Sequence, residues 1–262
     1  MSAPVGERSL AVVIPTYDEV ENLAWIVGRV RAAVPAADVW IFDDSSPDGT
    51  GEAADELAAR DPHVRVVHRT AKAGLGAAYL AAFPTVLAHG YALVAQMDAD
   101  GSHLPEQLPA LVAATEEADL VLGSRWVPGG SVVNWPWFRQ ALSRGGNLYT
   151  RLLLGIPVRD ATGGFRVFRR EALEQIDLTD VQSVGYCFQV DMAWRAVRAG
   201  LRVRELPIRF VERVRGESKM SPDVATESLR RITRWGLRER WGQVRRVLSR
   251  KDDMPQGVGR RR

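Results

Sequence analysis

The stretch LAVVIPTYDEVENLAWIVGRVRAAVPAADVWIFDD, residues 10–44, decides the fold. Leu10 to Ile14 is a short aliphatic run stopped by Pro15, and Val39 to Phe42 is a second one stopped by Asp43 and Asp44. Uninterrupted apolar runs of this length read as strands buried on both faces, as in a parallel sheet. Between them Glu19 to Val34 spaces its apolar residues at helical intervals. Strand, helix and strand in one stretch make a βαβ unit.

The rhythm continues outward. Helix-like segments at 48–60, 74–88 and 104–115 alternate with strand-like ones at 64–67, 92–97 and 119–123. This alternation predicts an α/β fold, a Rossmann-like, mostly parallel sheet flanked by helices. Ligands in such sheets sit beyond the carboxyl ends of the strands. Pro15-Thr16-Tyr17, Asp43-Asp44 and Asp98-Ala99-Asp100 all fall there. Taken singly, each cluster reads equally well as a helix cap or a turn.

The second half is less regular. Trp135 to Leu154 carries Trp137, Phe138, Ala141, Leu142, Leu148, Tyr149 and Leu152 on one helical stripe, with Arg139, Ser143, Asn147 and Arg151 on another face. A strand is expected over Arg202 to Phe210. Ser218 to Arg250 reads as an amphipathic helix with Trp235 and Trp241 among arginines, a composition suited to a membrane interface or to packing on the body. The expected organisation is a tail at 1–8, a catalytic domain at 9–225, a basic helix at 226–250 and a disordered end at 251–262.

The chain of 262 residues has material for one large domain. Cys187 is its single cysteine, which excludes an internal disulfide and fits a reducing compartment. Met1 to Ser9 lacks the pattern of a signal peptide, and no apolar run reaches the roughly 20 residues of a membrane span. A cytoplasmic location is expected. Residues 229–262 hold 12 Lys/Arg against 3 Asp/Glu, while the rest holds 23 against 29. A basic tail on an acidic body fits a polyanionic partner, nucleic acid or an anionic membrane, and charge does not choose between them.

Asp98 and Asp100 flank a small residue after a strand, and their hard oxygens suit Mg²⁺ or Mn²⁺. A metal there can carry charge on a leaving diphosphate. Alone, D-x-D is a weak signal. Three further series stand before it in order: Val13-Ile14-Pro15-Thr16-Tyr17-Asp18-Glu19, Asp43-Asp44-Ser45-Ser46-Pro47-Asp48-Gly49-Thr50 and Gly74-Leu75-Gly76. Gly123-Ser124-Arg125, Ser143-Arg144-Gly145, Asp160-Ala161-Thr162-Gly163-Gly164-Phe165-Arg166, Tyr186-Cys187-Phe188-Gln189 and Arg213-Val214-Arg215-Gly216-Glu217-Ser218-Lys219 follow it. Over roughly residues 9 to 225 the set resembles family 2 glycosyltransferases of the GT-A fold, with its nearest likeness to polyprenol (dolichol) phosphate mannose synthases.

The resemblance implies a single GT-A domain that moves mannose from GDP-mannose to a polyprenyl monophosphate with inversion. It places Pro15, Tyr17, Glu19, Phe42 and Asp44 around the base and ribose, and Asp98, Ala99 and Asp100 at the ribose and diphosphate. Asp98, Asp100 and Ser102 fall on the metal side, and Arg213 and Lys219 close over the diphosphate. Arg125, Arg139 and Ser143 match the acceptor's phosphate site. A lipid monophosphate is already anionic near neutral pH, so no catalytic base is expected, and Asp100, Arg125, Arg213 and Lys219 carry catalysis through charge and orientation. The lack of an apolar span, the basic Trp-containing tail and the helix at 136–154 lead to an expectation of peripheral attachment to the cytoplasmic face of a membrane. The resemblance implies an integral membrane partner, and no nucleic acid is expected. A glucosyltransferase using UDP-glucose and a non-catalytic nucleotide- or nucleic-acid-binding module are the alternative readings.

Overall fold

The computed structural model describes residues 10–179, 181, 186–213, 226 and 229–238. Its centre is a seven-stranded sheet in the order β3-β2-β1-β4-β7-β5-β8. The strands are β1 (Leu10–Thr16), β2 (Asp38–Asp43), β3 (Val64–His68), β4 (Leu93–Gln96), β5 (Leu120–Ser124), β7 (Arg166–Arg169) and β8 (Val203–Pro207). β1 pairs in parallel with β2 and β4, β2 with β3, and β5 with β8, while β7 runs antiparallel between β4 and β5. The sheet is thus mostly parallel, as expected, with one reversed strand.

Side-chain alternation sends each strand's residues into two cores. Ala11, Val13, Trp40, Phe42 and Leu122 face one layer with α3 (Leu75–Ala88) and α7 (Tyr186–Arg198). Leu10, Val12, Ile14, Val39, Ile41 and Val121 face the other with α1 (Val20–Ala33), α2 (Thr50–Arg60) and α4 (Leu108–Ala113). Tyr79, Phe83 and Phe188 of the first layer stack ring on ring at centroid separations of 5.8 and 5.9 Å.

Two expectations for the second half needed revision. The strand expected over Arg202 to Phe210 splits at Pro207: β8 ends there, and β9 (Arg209–Val211) leaves to pair with β6 (Ser131–Val133) in a separate two-stranded sheet. Proline has no N–H with which to continue a ladder. β7 went unforeseen because its four residues, Arg-Val-Phe-Arg, place arginine at both ends of a buried strand.

α5 (Trp137–Leu154) lies on the periphery and ends at Gly155, whose φ of 66° and N–H bond to the Arg151 carbonyl form a left-handed cap. α6 (Arg170–Gln175) follows β7. The helical residues 229–238 pack against α5 and α7: Ile232 is buried, Trp235 stacks on Trp194 at 5.5 Å, and Thr233 meets the Tyr149 hydroxyl at 2.7 Å. This part of the basic helix therefore turns its apolar face to the body. The expected tails at 1–8 and 251–262 and the helix beyond 238 lie outside the described residues.

Candidate active site

The loops after β1 and β2 are tied to each other. Asp43 accepts from the Thr16 hydroxyl at 3.0 Å and from the N–H and hydroxyl of Ser46. Asp48 accepts from Thr50 and from the Val20 N–H, joining the starts of α1 and α2. The Asp18 N–H donates to the Ser46 hydroxyl at 3.1 Å. Asp18 and Ser45 hold φ of 56° and 54°, a left-handed geometry that costs energy outside glycine and gathers at functional loops. Tyr17 carries the Lys72 ammonium 3.6 Å from its ring centre, and the Glu19 carboxylate accepts from Asn22. Asp44 accepts from Arg69 and from the Ala73 N–H before α3.

Pro15, Tyr17, Glu19 and Asp44 thus line up along the carboxyl edge of β1 and β2. Phe42 does not join them. Its ring is 1% exposed, inside the core beside Trp40. A contact from this position to a base or ribose would come from its backbone.

The loop after β4 holds the carboxylate pair. Gly101 takes φ of 74°, and a Cβ there would stand 2.5 Å from the Trp25 ring, so only glycine lets the chain turn. Asp100 is nearly buried, accepting from the Ser102 N–H at 3.0 Å and meeting an Arg213 guanidinium nitrogen at 3.2 Å. Asp98 keeps about a third of its side chain open, 34%, to the cleft. Burial pushes the Asp98 carboxyl up to about 7, the Asp100 charge adds to this, and Arg213 and Arg125 pull it back. Two carboxylates this close favour a cation between them.

His103 is fully enclosed, stacked on Phe165 at 5.1 Å, and its Nδ1 accepts from the Asp98 N–H at 3.2 Å. Burial drives the imidazole down to about 4, so it is neutral at physiological pH and serves as a strut. The Ser102 hydroxyl is buried with no hydrogen-bond partner among the described residues. Ala99 contributes a buried methyl only.

Opposite stand the arginines. Arg125, at the end of β5, presents a bidentate fork to Asp160 at 2.8 and 2.7 Å and donates to Thr162 at 2.9 Å. Asp160 has no exposed surface. Burial pushes its carboxyl up, but the Arg125 charge and hydrogen bonds outweigh this and hold it below the usual range. Arg139 on α5 pairs with Glu212 just after β9 and lies 4.2 Å from the Trp135 ring centre. Asp98, Asp100, Ser102, Arg125, Arg139, Ser143 and Arg213 all line one cavity of about 220 Å³. The same cavity is also walled by Leu142, Val190, Leu229 and Ile232, from α5, α7 and residues 229–238. Lys219 lies outside the described residues.

Residues quoted in motifs but given no role also belong here. Arg166, with no exposed surface, donates to the carbonyls of Gly163 and Ala161 at 2.8 Å and so shapes the loop that carries Asp160. Gln189 on α7 is buried with both amide atoms unpartnered among the described residues. Its nitrogen and an Asp98 oxygen stand 3.5 and 3.6 Å from where a Cβ of Gly164 would be. A lone glutamine in an apolar helix carries no sequence signal for this position.

Among the described residues no third His, Cys, Asp or Glu completes a metal cluster with Asp98 and Asp100. The pair and the orphan Ser102 hydroxyl nevertheless fit Mg²⁺ or Mn²⁺, which takes one or two carboxylates and fills its other positions from phosphate and water.

A model described as glycosyl transferase family 2 matches residues 11–177. Polyprenol monophosphomannose synthase of Mycolicibacterium smegmatis is 54% identical, over 92% of this chain and 92% of its own. Undecaprenyl-phosphate mannosyltransferase of Micrococcus luteus is 54% identical, over 90% and 98%. Glucosyl-3-phosphoglycerate synthase of Mycobacterium tuberculosis, solved with Mn²⁺, UDP and glucosyl-3-phosphoglycerate, superposes with a TM-score of 0.61 at 19% identity, covering 99% of this chain and 88% of its own.

Proposed function

This chain belongs to glycosyl transferase family 2, and from that premise we propose that it moves mannose from GDP-mannose to a polyprenyl monophosphate with inversion. One observation carries the reading beyond the family. A single cavity is lined both by carboxylates and arginines and by Leu142, Val190, Leu229 and Ile232, which suits an acceptor that is a phosphate attached to an apolar chain. The relatives in Mycolicibacterium and Micrococcus, named for mannose and a polyprenyl phosphate, agree with it.

The donor lies along the edge formed by Pro15, Tyr17, Glu19 and Asp44, with its diphosphate at Asp98 and Asp100. Asp98, Asp100 and Ser102 would hold a divalent ion, which when bound would supply charge to the leaving diphosphate. Arg213 sits against Asp100 now and passes to diphosphate oxygens when the donor is bound, a guanidinium fork being suited to phosphate. Arg139 and Ser143 hold the acceptor phosphate, whose oxygen attacks the anomeric carbon from the face opposite the diphosphate. The bond from that carbon to the GDP oxygen breaks, GDP leaves with the electron pair, and the configuration inverts. No proton has to be removed, in keeping with a neutral, enclosed His103. Arg125, locked to Asp160, is a fixed part of the cavity wall.

The acceptor must be drawn from a bilayer. Among the described residues no helix is long and apolar enough to cross one. α5 instead shows solvent a continuous apolar face, with Trp137 79%, Phe138 60%, Leu142 68% and Leu152 62% exposed. So large an exposed face marks an interaction surface, and its Leu142 also lines the cavity. It lies on the membrane as an interfacial helix does.

The test is transfer of labelled sugar to a polyprenyl phosphate. GDP-mannose is expected to label the lipid and UDP-glucose is not; labelling from UDP-glucose alone refutes the reading at the donor. Replacing Trp137 and Leu152 together by serine is expected to release the protein from phosphatidylcholine vesicles, and unchanged binding refutes the docking face.

A further inference from the structure

A second concavity, of about 320 Å³, opens on the other flank of α5 and is lined by Arg125, Trp126, Arg144, Asn147, Arg151 and Arg159 among others. It shares only Arg125 with the catalytic cavity, and that guanidinium is already engaged by Asp160. Arg144, Arg151 and Arg159 are different. All three are exposed, and none makes an ion pair among the described residues. No carboxylate lines the concavity. Arg144 lies 4.7 Å from the Trp126 ring centre, which fixes its guanidinium over the opening.

Three uncompensated guanidinium groups around a polar hollow make a phosphate site. Its place on the helix selects the source of the phosphate. Arg144 and Arg151 stand seven residues apart on α5, two turns, and Leu148 between them is 52% exposed and lines the same hollow. Going round the helix from these arginines, the next residues are the exposed apolar face of Trp137, Leu148 and Leu152. A group seated here is therefore at headgroup level when that face is in the acyl boundary.

We propose that Arg144, Arg151 and Arg159 form a site for the phosphodiester headgroup of an anionic phospholipid, which holds α5 on an anionic leaflet with the acceptor cavity facing the bilayer. The proposal rests on the docking face assigned to α5, and the experiment separates the two. Flotation is measured on vesicles of phosphatidylcholine alone and on vesicles that also contain phosphatidylglycerol. The wild-type chain is expected to bind both and to prefer the anionic ones, the preference fading with added salt.

In the Arg144→Gln/Arg151→Gln double variant the binding to phosphatidylcholine is expected to persist. The preference should fall roughly 30-fold, from ~1 kcal/mol for each basic side chain near a charged leaflet. Transfer to a short-chain polyprenyl phosphate in detergent should match the wild type, because neither residue lines the acceptor cavity. An equal preference in variant and wild type overturns the headgroup site while leaving the docking face standing. Loss of phosphatidylcholine binding in the wild type overturns the docking face, and the site falls with it. If inorganic phosphate raises the melting temperature of the wild type and not of the variant, while both keep the same vesicle preference, the hollow binds soluble phosphate and the lipid proposal is overturned.

Discussion

The donor edge and the acceptor flank use the same carboxylates and cations in opposite ways. At the donor edge, Asp43 is consumed by Thr16 and Ser46 and Asp48 by Thr50 and Val20, backbone and hydroxyl donors of neighbouring loops, and Asp44 alone of the three meets a guanidinium, that of Arg69. Elsewhere in the cleft they face guanidinium groups from far along the chain, in Arg125 with Asp160 and Arg139 with Glu212 at the acceptor flank and in Arg213 with Asp100 beside the diphosphate. The first arrangement fixes a shape before any ligand arrives. The second stores positive charge under carboxylates, to be handed to anionic substrates wherever the pair is open to exchange.

The exchange idea is tested hardest at Asp100. With alanine there, the diphosphate and its ion lose their principal anchor and Arg213 loses its resting partner. Transfer from labelled GDP-mannose is expected to fall by on the order of 10³-fold, the scale of a lost charge-stabilising group, with an unchanged melting curve. Activity within a few-fold of wild type would mean that the pair is a structural turn.

Asp160 is where exchange should be impossible. With Asp160→Asn the buried Arg125 guanidinium loses its carboxylate, a loss of about 3–5 kcal/mol, seen as a fall of roughly 10 °C in melting temperature. The sign of the pH dependence follows from the lowered carboxyl: the pair's stability is complete above the ordinary carboxylate range and is lost only as pH falls through the depressed folded value. The wild type should therefore outlast the variant at neutral pH and converge on it in strong acid.

The same contrast explains what could be read in the sequence. Strands stopped by proline or paired aspartates, and turns built from Asp, Ser and Gly, are local devices, so β1 to β5 and the carboxylate loop stood out in residues 10–103 and just beyond. The resemblance brought Arg125, Arg139 and Ser143 to one place, but not their partners. Asp160 and Glu212 lie 35 and 73 residues from the arginines they meet, and no periodicity relates them. β7 and the Gln189 amide were hidden for a similar reason: each is defined by what packs on it. The motif also names Phe42 without saying whether its ring or its backbone faces the edge, and the ring lies in the core.

Arg139 tests exchange at the acceptor. Its alanine variant is expected to raise KM for polyprenyl phosphate about 10-fold, the worth of one charge-assisted hydrogen bond, with KM for GDP-mannose unchanged. A change shared by both substrates would place Arg139 in the general architecture of the cleft.

Glu212 should give the smallest effect and the most specific one. It pairs with Arg139 while about a third of its side chain, 34%, remains exposed, so solvent weakens the bond and the pair contributes well under ~1 kcal/mol to stability. If the acceptor phosphate displaces Glu212 from Arg139, then Glu212→Gln removes a competitor. KM for polyprenyl phosphate should then fall about two- to three-fold, within the range of an exposed ion pair, with the melting temperature unmoved. If Glu212 instead holds Arg139 in place for the phosphate, KM rises. The direction of that one small change separates a guanidinium on loan from one that is fixed, as Arg125 is by Asp160.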